Sequence, residues 1–239
     1  MPATEPVAPA ATSPGGAGPV GDPVSEPGFP RGGPAGQPAS GRGDSEPTPR
    51  ERLIAALAEA IVERGYAETT VADIVARART SRRTFYEHFR DRGGCFLALF
   101  AQETARTLAA IAAAIDLDDD LAEQAERAVD AYIAAVSVHP ELQRSFAREL
   151  PGLAEAGAEA VRAVTGRYAD LFVDLVEVAR SRRPDPPIAP LHRDVAVILI
   201  SGLRELLVSA TQEGRPPSAV REPSLAVVRA IVAALLRDA

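Results

Sequence analysis

The 239 residues contain no lysine and no tryptophan, one cysteine, one methionine and three histidines. A lone Cys95 excludes an intramolecular disulfide framework and any Cys-rich zinc site. His88, His139 and His192 are too scattered to suggest a metal cluster, and no motif calls for a cofactor. The apolar run Val195–Leu203 is nine residues long, far short of the roughly 20 that span a bilayer. No basic n-region with a Leu-rich stretch opens the chain, so no signal peptide is expected and a cytoplasmic protein is. Gly-rich phosphate loops, a Gly-x-Ser-x-Gly elbow and a plausible triad are all missing, which argues against an all-α enzyme. Asp116–Asp120 holds four acids in five residues. It lacks the glycine and terminal Glu of a calcium loop and reads as a solvated linker.

What is present is unevenly spread. Of the first 49 positions, 22 are Pro or Gly. Each ordered residue costs about 1–2 kcal/mol of backbone entropy, which a segment with so few large apolar side chains cannot offset. Residues 1–49 are therefore expected to be a disordered extension. The folding unit runs over about 50–239, with a division expected between 50–95 and 96–239. All 26 basic residues are arginine, and the net charge is −7. With the high Ala, Gly and Pro content, this reflects a GC-rich coding sequence rather than selection for arginine chemistry. Yet Arg77–Arg92 carries six arginines against Glu87 and Asp91. A basic patch on an acidic body suits a polyanion, although a solvated charged helix fits the charge pattern equally well.

From Arg50 onward the pattern is helical, rich in Ala, Leu and Arg. About nine helices are expected, over Arg50–Arg64, Thr70–Arg77, Ser81–His88, Arg92–Ile115, Leu121–His139, Glu141–Glu149, Leu153–Arg180, Leu191–Glu213 and Pro223–Arg237. The fold class is all-α. Leu53, Ile54, Leu57 and Ile61 share one face of the first helix, and Gly65 sits where a C-terminal cap belongs. Thr70 with Asp73 reads as a capping-box variant, and Ser81 caps a third helix with apolar Phe85 and Phe89. Three helices within about 40 residues, with a short turn between the last two, make a helix-turn-helix unit.

The first turn of that third helix offers Ser81, Arg82, Arg83 and Thr84, with Tyr86 and His88 one turn on. Arginine reads guanine O6/N7 through two hydrogen bonds, worth about 1–3 kcal/mol of discrimination. Exposed charges on a short amphipathic helix are the bland alternative. The strings Thr69–Ala76 and Ser81–Arg92, with Phe85, Tyr86, His88 and Phe89 ending the third helix and Arg92 in the following basic position, resemble the DNA-binding domain of the TetR family of bacterial transcriptional regulators. The close likeness covers roughly residues 50–100, about a fifth of the chain. It implies phosphate contacts by Thr70, Tyr86 and Arg92, a small core around Phe85 and Phe89, and a packing or hydrogen-bonding role for His88 within the domain. Two departures stand out. Arg79 replaces the usual glycine of the turn, so the turn is expected to be altered, since L-residues disfavour positive φ. Gly93-Gly94 should weaken the start of the fourth helix.

In the remainder, Leu153, Gly157, Ala160, Val164, Tyr168, Leu171, Leu175 and Val178 form one stripe of a long central helix. Val195–Leu199 is apolar on every face, and Pro223–Arg237 on two, including Leu225, Val228, Ile231 and Leu236. The resemblance implies a homodimer through these last two helices, with Leu206 and Val228 expected at the contact and Gly202 allowing close approach. Burial within one subunit is the alternative. It also implies a small-molecule effector inside this body, and Phe100, Tyr132, Phe146, Tyr168 and Phe172 are the candidate lining. The expected function is ligand-responsive regulation, with repression the leading mode, on a pseudo-palindromic double-stranded DNA operator. A helical adaptor that has lost DNA binding is the competing reading, supported by Arg79 and Gly93-Gly94.

Overall fold

The structure, a computed structural model, describes residues 46–183, 185 and 187–237. The extension expected over 1–49 thus lies, as far as residue 45, outside the described residues. Nine α-helices occur among the described residues: α1 Pro49–Arg64, α2 Val71–Arg77, α3 Arg82–His88, α4 Arg92–Ala114, α5 Leu121–Ser137, α6 Pro140–Glu149, α7 Ala154–Arg182, α8 Arg193–Gln212 and α9 Arg221–Arg237. Leu150–Leu153 and Pro217–Val220 are 3₁₀ turns. No strand occurs among the described residues.

Local chemistry explains the helix ends. Thr48 opens α1 with a capping box, accepting from the Glu51 amide while Glu51 accepts from the Thr48 amide. Gly65 closes it at φ 84°, a left-handed conformation that costs glycine little. Asp120, within the acidic linker, caps α5 in the same way with Glu123. Pro140 begins α6 rather than separating it from α5, because a proline at the first helical position loses no hydrogen bond. For the same reason α9 starts at Arg221, with Pro223 inside its first turn.

Leu53, Ile54, Leu57, Ile74, Phe85, Cys95 and Phe96 are sealed in a core shared by α1–α4. Leu142, Phe146 and Leu150, from α6 and the turn after it, complete the same cluster. Both α4 and this core therefore cross the expected division at 95/96. Burial pushes the Cys95 thiol up to about 12. The rest of the body packs α5, α7, α8 and α9 together. The buried face of α7 starts as expected through Gly157, Val164 and Tyr168, then turns to Ala169, Val176 and Ala179. Leu171, Leu175 and Val178, the later residues of the expected stripe, are only half-buried. Helix α4 is long and apolar enough to cross a membrane by length and composition. It packs mainly against α1, α5 and α7, and Phe96 and Phe100 meet Phe146 of α6.

Candidate nucleic-acid interface and internal cavity

Thr70 is the N-cap of α2. Its hydroxyl donates to Asp73 Oδ2 at 2.6 Å and accepts from the Asp73 amide at 3.2 Å, while the Thr70 amide donates to Oδ2 at 2.8 Å. These bonds hold the Asp73 carboxyl below its ordinary range. Arg77 pairs with Glu59 at 3.2 Å and with Glu63, and Arg64 with Asp73 at 3.3 Å, tying α2 to α1.

The α2–α3 turn is not altered as expected. The Thr80 amide donates to Val75 O at 3.0 Å and the Arg79 amide to Ala76 O at 3.3 Å, the pair of bonds that defines a Schellman motif. Arg79 itself takes the left-handed position at φ 49°, where glycine is usual. The turn is kept at a cost of roughly 1–2 kcal/mol of backbone strain. Nor do the two glycines interrupt α4, which starts at Arg92 with the Asp91 side chain accepting from the Gly94 amide at 2.8 Å. A Cβ on Gly93 would lie 3.2 Å from Leu153 Cδ2, so a small residue lets α4 begin against that side chain. Both sequence features behind the adaptor reading are thus accommodated.

Ser81 caps α3, accepting from the Thr84 amide at 3.1 Å, and the two hydroxyls lie 3.0 Å apart. Phe85 and Phe89 turn into the core, while Arg82, Arg83 and Tyr86 are exposed. Arg82 and Tyr86 share a face at i, i+4. Arg83 lies 3.0 Å from Glu87, and neither Arg79, Arg82 nor Arg90 has an ion pair among the described residues. His88 is exposed, with its ring 6.4 Å from that of Phe89, rather than packed within the domain. Arg92 faces inward. Its Nη1 donates to Tyr66 O at 2.9 Å and to Thr69 O, and its guanidinium lies 4.1 Å from the Tyr66 ring centre. The phosphate contact expected of Arg92 would compete with these bonds. Its visible work is to brace the turn that leads into Thr70.

Phe100, Tyr132, Phe146, Tyr168 and Phe172 come together on the wall of one cavity of about 580 Å³. Helices α4 to α9 all contribute to it. Phe100 and Phe146 pack at 5.1 Å, and Tyr132 meets Tyr168 edge-on at 6.1 Å. Burial pushes the Tyr168 phenol up to about 12 and the Tyr132 phenol well above its ordinary range. Neither tyrosine is ionised near neutral pH, so the tyrosines add hydrogen-bonding capacity to the wall without charge. At about 580 Å³ the cavity falls within the roughly 300–1,000 Å³ of small-molecule sites.

Residues 53–99 match the family model of bacterial regulatory proteins, tetR family. That segment, about a fifth of the chain, is a TetR-family DNA-binding domain. The match places DNA binding in the head. A search of curated proteins finds no match. Solved structures share the fold. A putative TetR-family regulator from Syntrophomonas wolfei is 14% identical, with 77% of this chain and 95% of that one covered at a TM-score of 0.63. One from Pectobacterium atrosepticum is 22% identical, with 79% and 94% covered at 0.59. The regulator FadR from Bacillus subtilis, in complex with stearoyl-CoA, is 16% identical, with 74% and 96% covered at 0.59.

The last two helices leave Val195, Ile198, Val227 and Leu236 exposed, Ile198 at 72%. Gly202 has open space where a Cβ would point. Val228, by contrast, is buried at 6% and Leu206 packs partly against the same cluster. Both were expected at a subunit contact. The outward face of α9 instead passes through Val227, one position away. Sequence reasoning also missed Arg204, which lines the cavity. A lone charge pair, Arg204-Glu205, set among apolar residues from Val195 to Val208 was the signal.

Proposed function

We propose that this chain regulates transcription in the cytoplasm as a homodimer, holding a pseudo-palindromic operator until a small molecule enters the cavity. The carrying observation is α4. It begins three residues after α3, contributes Phe96 to the head core and continues along the cavity wall at Phe100, Thr104, Thr107 and Ile111. A ligand that favours one position of α4 has a rigid lever on α3, and it shifts the balance only by its differential affinity for the two states. The stearoyl-CoA bound to the Bacillus subtilis relative supports a small-molecule effector here.

In this reading Ser81, Arg82, Arg83 and Thr84 face the major groove, Thr70 and Tyr86 hold phosphates, and Arg92 positions Thr70. The exposed stripe of Val195, Ile198 and Val227 meets its copy in the partner, and the two-fold axis imposes a palindrome on the half-sites. The test is a titration of the purified protein against the DNA flanking its own gene and against random DNA, at several salt concentrations. Operator binding should exceed random binding, and Arg82→Ala should cost about 1–3 kcal/mol on the operator with less effect on random DNA. Tyr86→Phe should weaken both DNAs alike. Ile198→Glu should give monomers in sedimentation with weakened operator binding. Wild-type protein that is monomeric and shows no preference at low salt would overturn the proposal.

A further inference from the structure

The cavity wall is mainly apolar, and several of the polar side chains that reach it are already committed. The hydroxyls of Thr104, Thr107, Thr211 and Ser224 donate to carbonyls four residues back in their own chain segments, at 2.6–3.0 Å. They have no proton left for a ligand. Among the charged wall residues, Glu103 is taken by Arg106 at 3.0 Å and Arg162 by Glu155 at 2.9 Å. Arg204 on α8 is different. Its side chain is 38% exposed, it makes no hydrogen bond among the described residues, and its nearest carboxylate is the exposed neighbour Glu205 at 3.7 Å. That separation is too long for a hydrogen bond. The Tyr132 hydroxyl, on the same wall, also lacks a hydrogen bond among the described residues. Arg204 and Tyr132 both line the cavity.

A half-buried guanidinium with unused donors and an unused phenol O–H on one cavity wall are donors open to a ligand in a mainly apolar chamber. Donors call for an acceptor. A planar fork is matched by a carboxylate, which takes two of its N–H bonds at once, and the low-dielectric wall strengthens that pairing relative to water. We infer that the effector is an apolar acid, its carboxylate held by Arg204 and Tyr132 and its tail packed among Phe100, Phe146 and Phe172. This rests on the cavity being the effector site. It adds the chemical class of the ligand and the residue that selects it. An amine would meet Arg204 with like charge, and an alcohol would leave most of the guanidinium donors unpaired.

The test uses the full chain and three probes with one tail, decanoate, decanol and decylamine, followed by calorimetry at neutral pH. A hydrogen bond to a charged group contributes about 1.5–3 kcal/mol, so decanoate should bind at least about tenfold more tightly than decanol. Decylamine should bind most weakly. Arg204→Gln should remove the preference for decanoate and leave decanol binding unchanged, and Tyr132→Phe should reduce that preference severalfold. Unliganded melting of both variants should stay near wild type, since neither side chain has a hydrogen bond to lose. Equal binding of decanoate and decanol, or an undiminished preference in Arg204→Gln, would overturn the acid assignment and leave the cavity as an effector site. No binding of any of the three probes would sink both.

Discussion

In the head, Leu53, Ile54, Leu57, Ile74, Phe85 and Phe96 are closed to solvent and close on one another. In the body, aromatics of the same kind stand around about 580 Å³ of space. Both regions are all-helical and rich in Ala and Leu, so composition does not separate them. The difference lies in how completely each aromatic is surrounded. A filled core holds α3 at a fixed angle for DNA, whereas a hollow one leaves room for a molecule and for movement of α4. Phe146 belongs to both, touching Phe96 of the head at 5.3 Å and Phe100 of the cavity wall at 5.1 Å.

The largest test of that contrast is to truncate one aromatic in each region. Phe85 is fully buried, and Phe85→Ala should cost about 3–5 kcal/mol, enough to open the head. Phe172 is only partly buried and already borders the void, so Phe172→Ala removes fewer contacts and should cost roughly 1–2 kcal/mol. Thermal melts of the two variants give the comparison, and reaction of the buried Cys95 thiol reports head opening separately. Similar losses in both would mean that the chamber wall packs as tightly as the head core.

The reverse substitution should discriminate more finely. Ala60 in α1 is fully buried, and Ala60→Leu should overpack the head at about 1–3 kcal/mol. Ala128 in α5 is equally buried but lines the cavity. Ala128→Leu has space to enter, so stability should change by less than about 1 kcal/mol. Gly157 marks where even the body is tight: a Cβ there would run into the Leu150 carbonyl oxygen. Gly157→Ala must therefore displace the Leu150–Leu153 turn, and it should destabilise more than Ala128→Leu despite adding less.

The same contrast governs what could be read before the structure. Head elements are announced locally. Thr70 with Asp73, Ser81, Gly65 and the Phe85/Phe89 pair each act within four residues, and all sit where their spacing puts them. Helix existence in the body was equally legible, and so were the five aromatics, because few other side chains could line a chamber among so many alanines. Choosing Val227 over Val228 was not, since one residue rotates a helical position by about 100° and only tertiary packing says which face looks outward. Arg79 misled for a related reason. Its φ is set by the Schellman bonds around it, and the strain of one residue is small against a packed turn. Arg92 could be read as a phosphate ligand because the carbonyls it faces, from Tyr66 to Thr69, lie more than twenty residues away in sequence.

The smallest expected effect concerns acid. Asp73 in the head and Asp130 in the body both have carboxyls below the ordinary range, the first through Thr70, the second through the Arg221 fork at 2.6 and 2.9 Å. A depressed folded-state value means that each contributes stability above its unfolded value, near about 4, and loses it as pH falls through the lower folded value. Both regions therefore weaken in acid, but through different partners. Thr70→Ala removes the hydrogen bonds that depress Asp73. It should make the head less stable near neutral pH and flatten its further loss below about pH 4. Asp130→Asn should flatten the acid response of the body and leave the head untouched. Cys95, buried in the head core, reports on one region alone when labelled with a dithiodipyridine reagent, which reacts in acid. Its labelling rate should respond to Thr70→Ala and not to Asp130→Asn. An equal response to both would show that head and body open as one unit and that the shared Phe146 packing outweighs the difference between them.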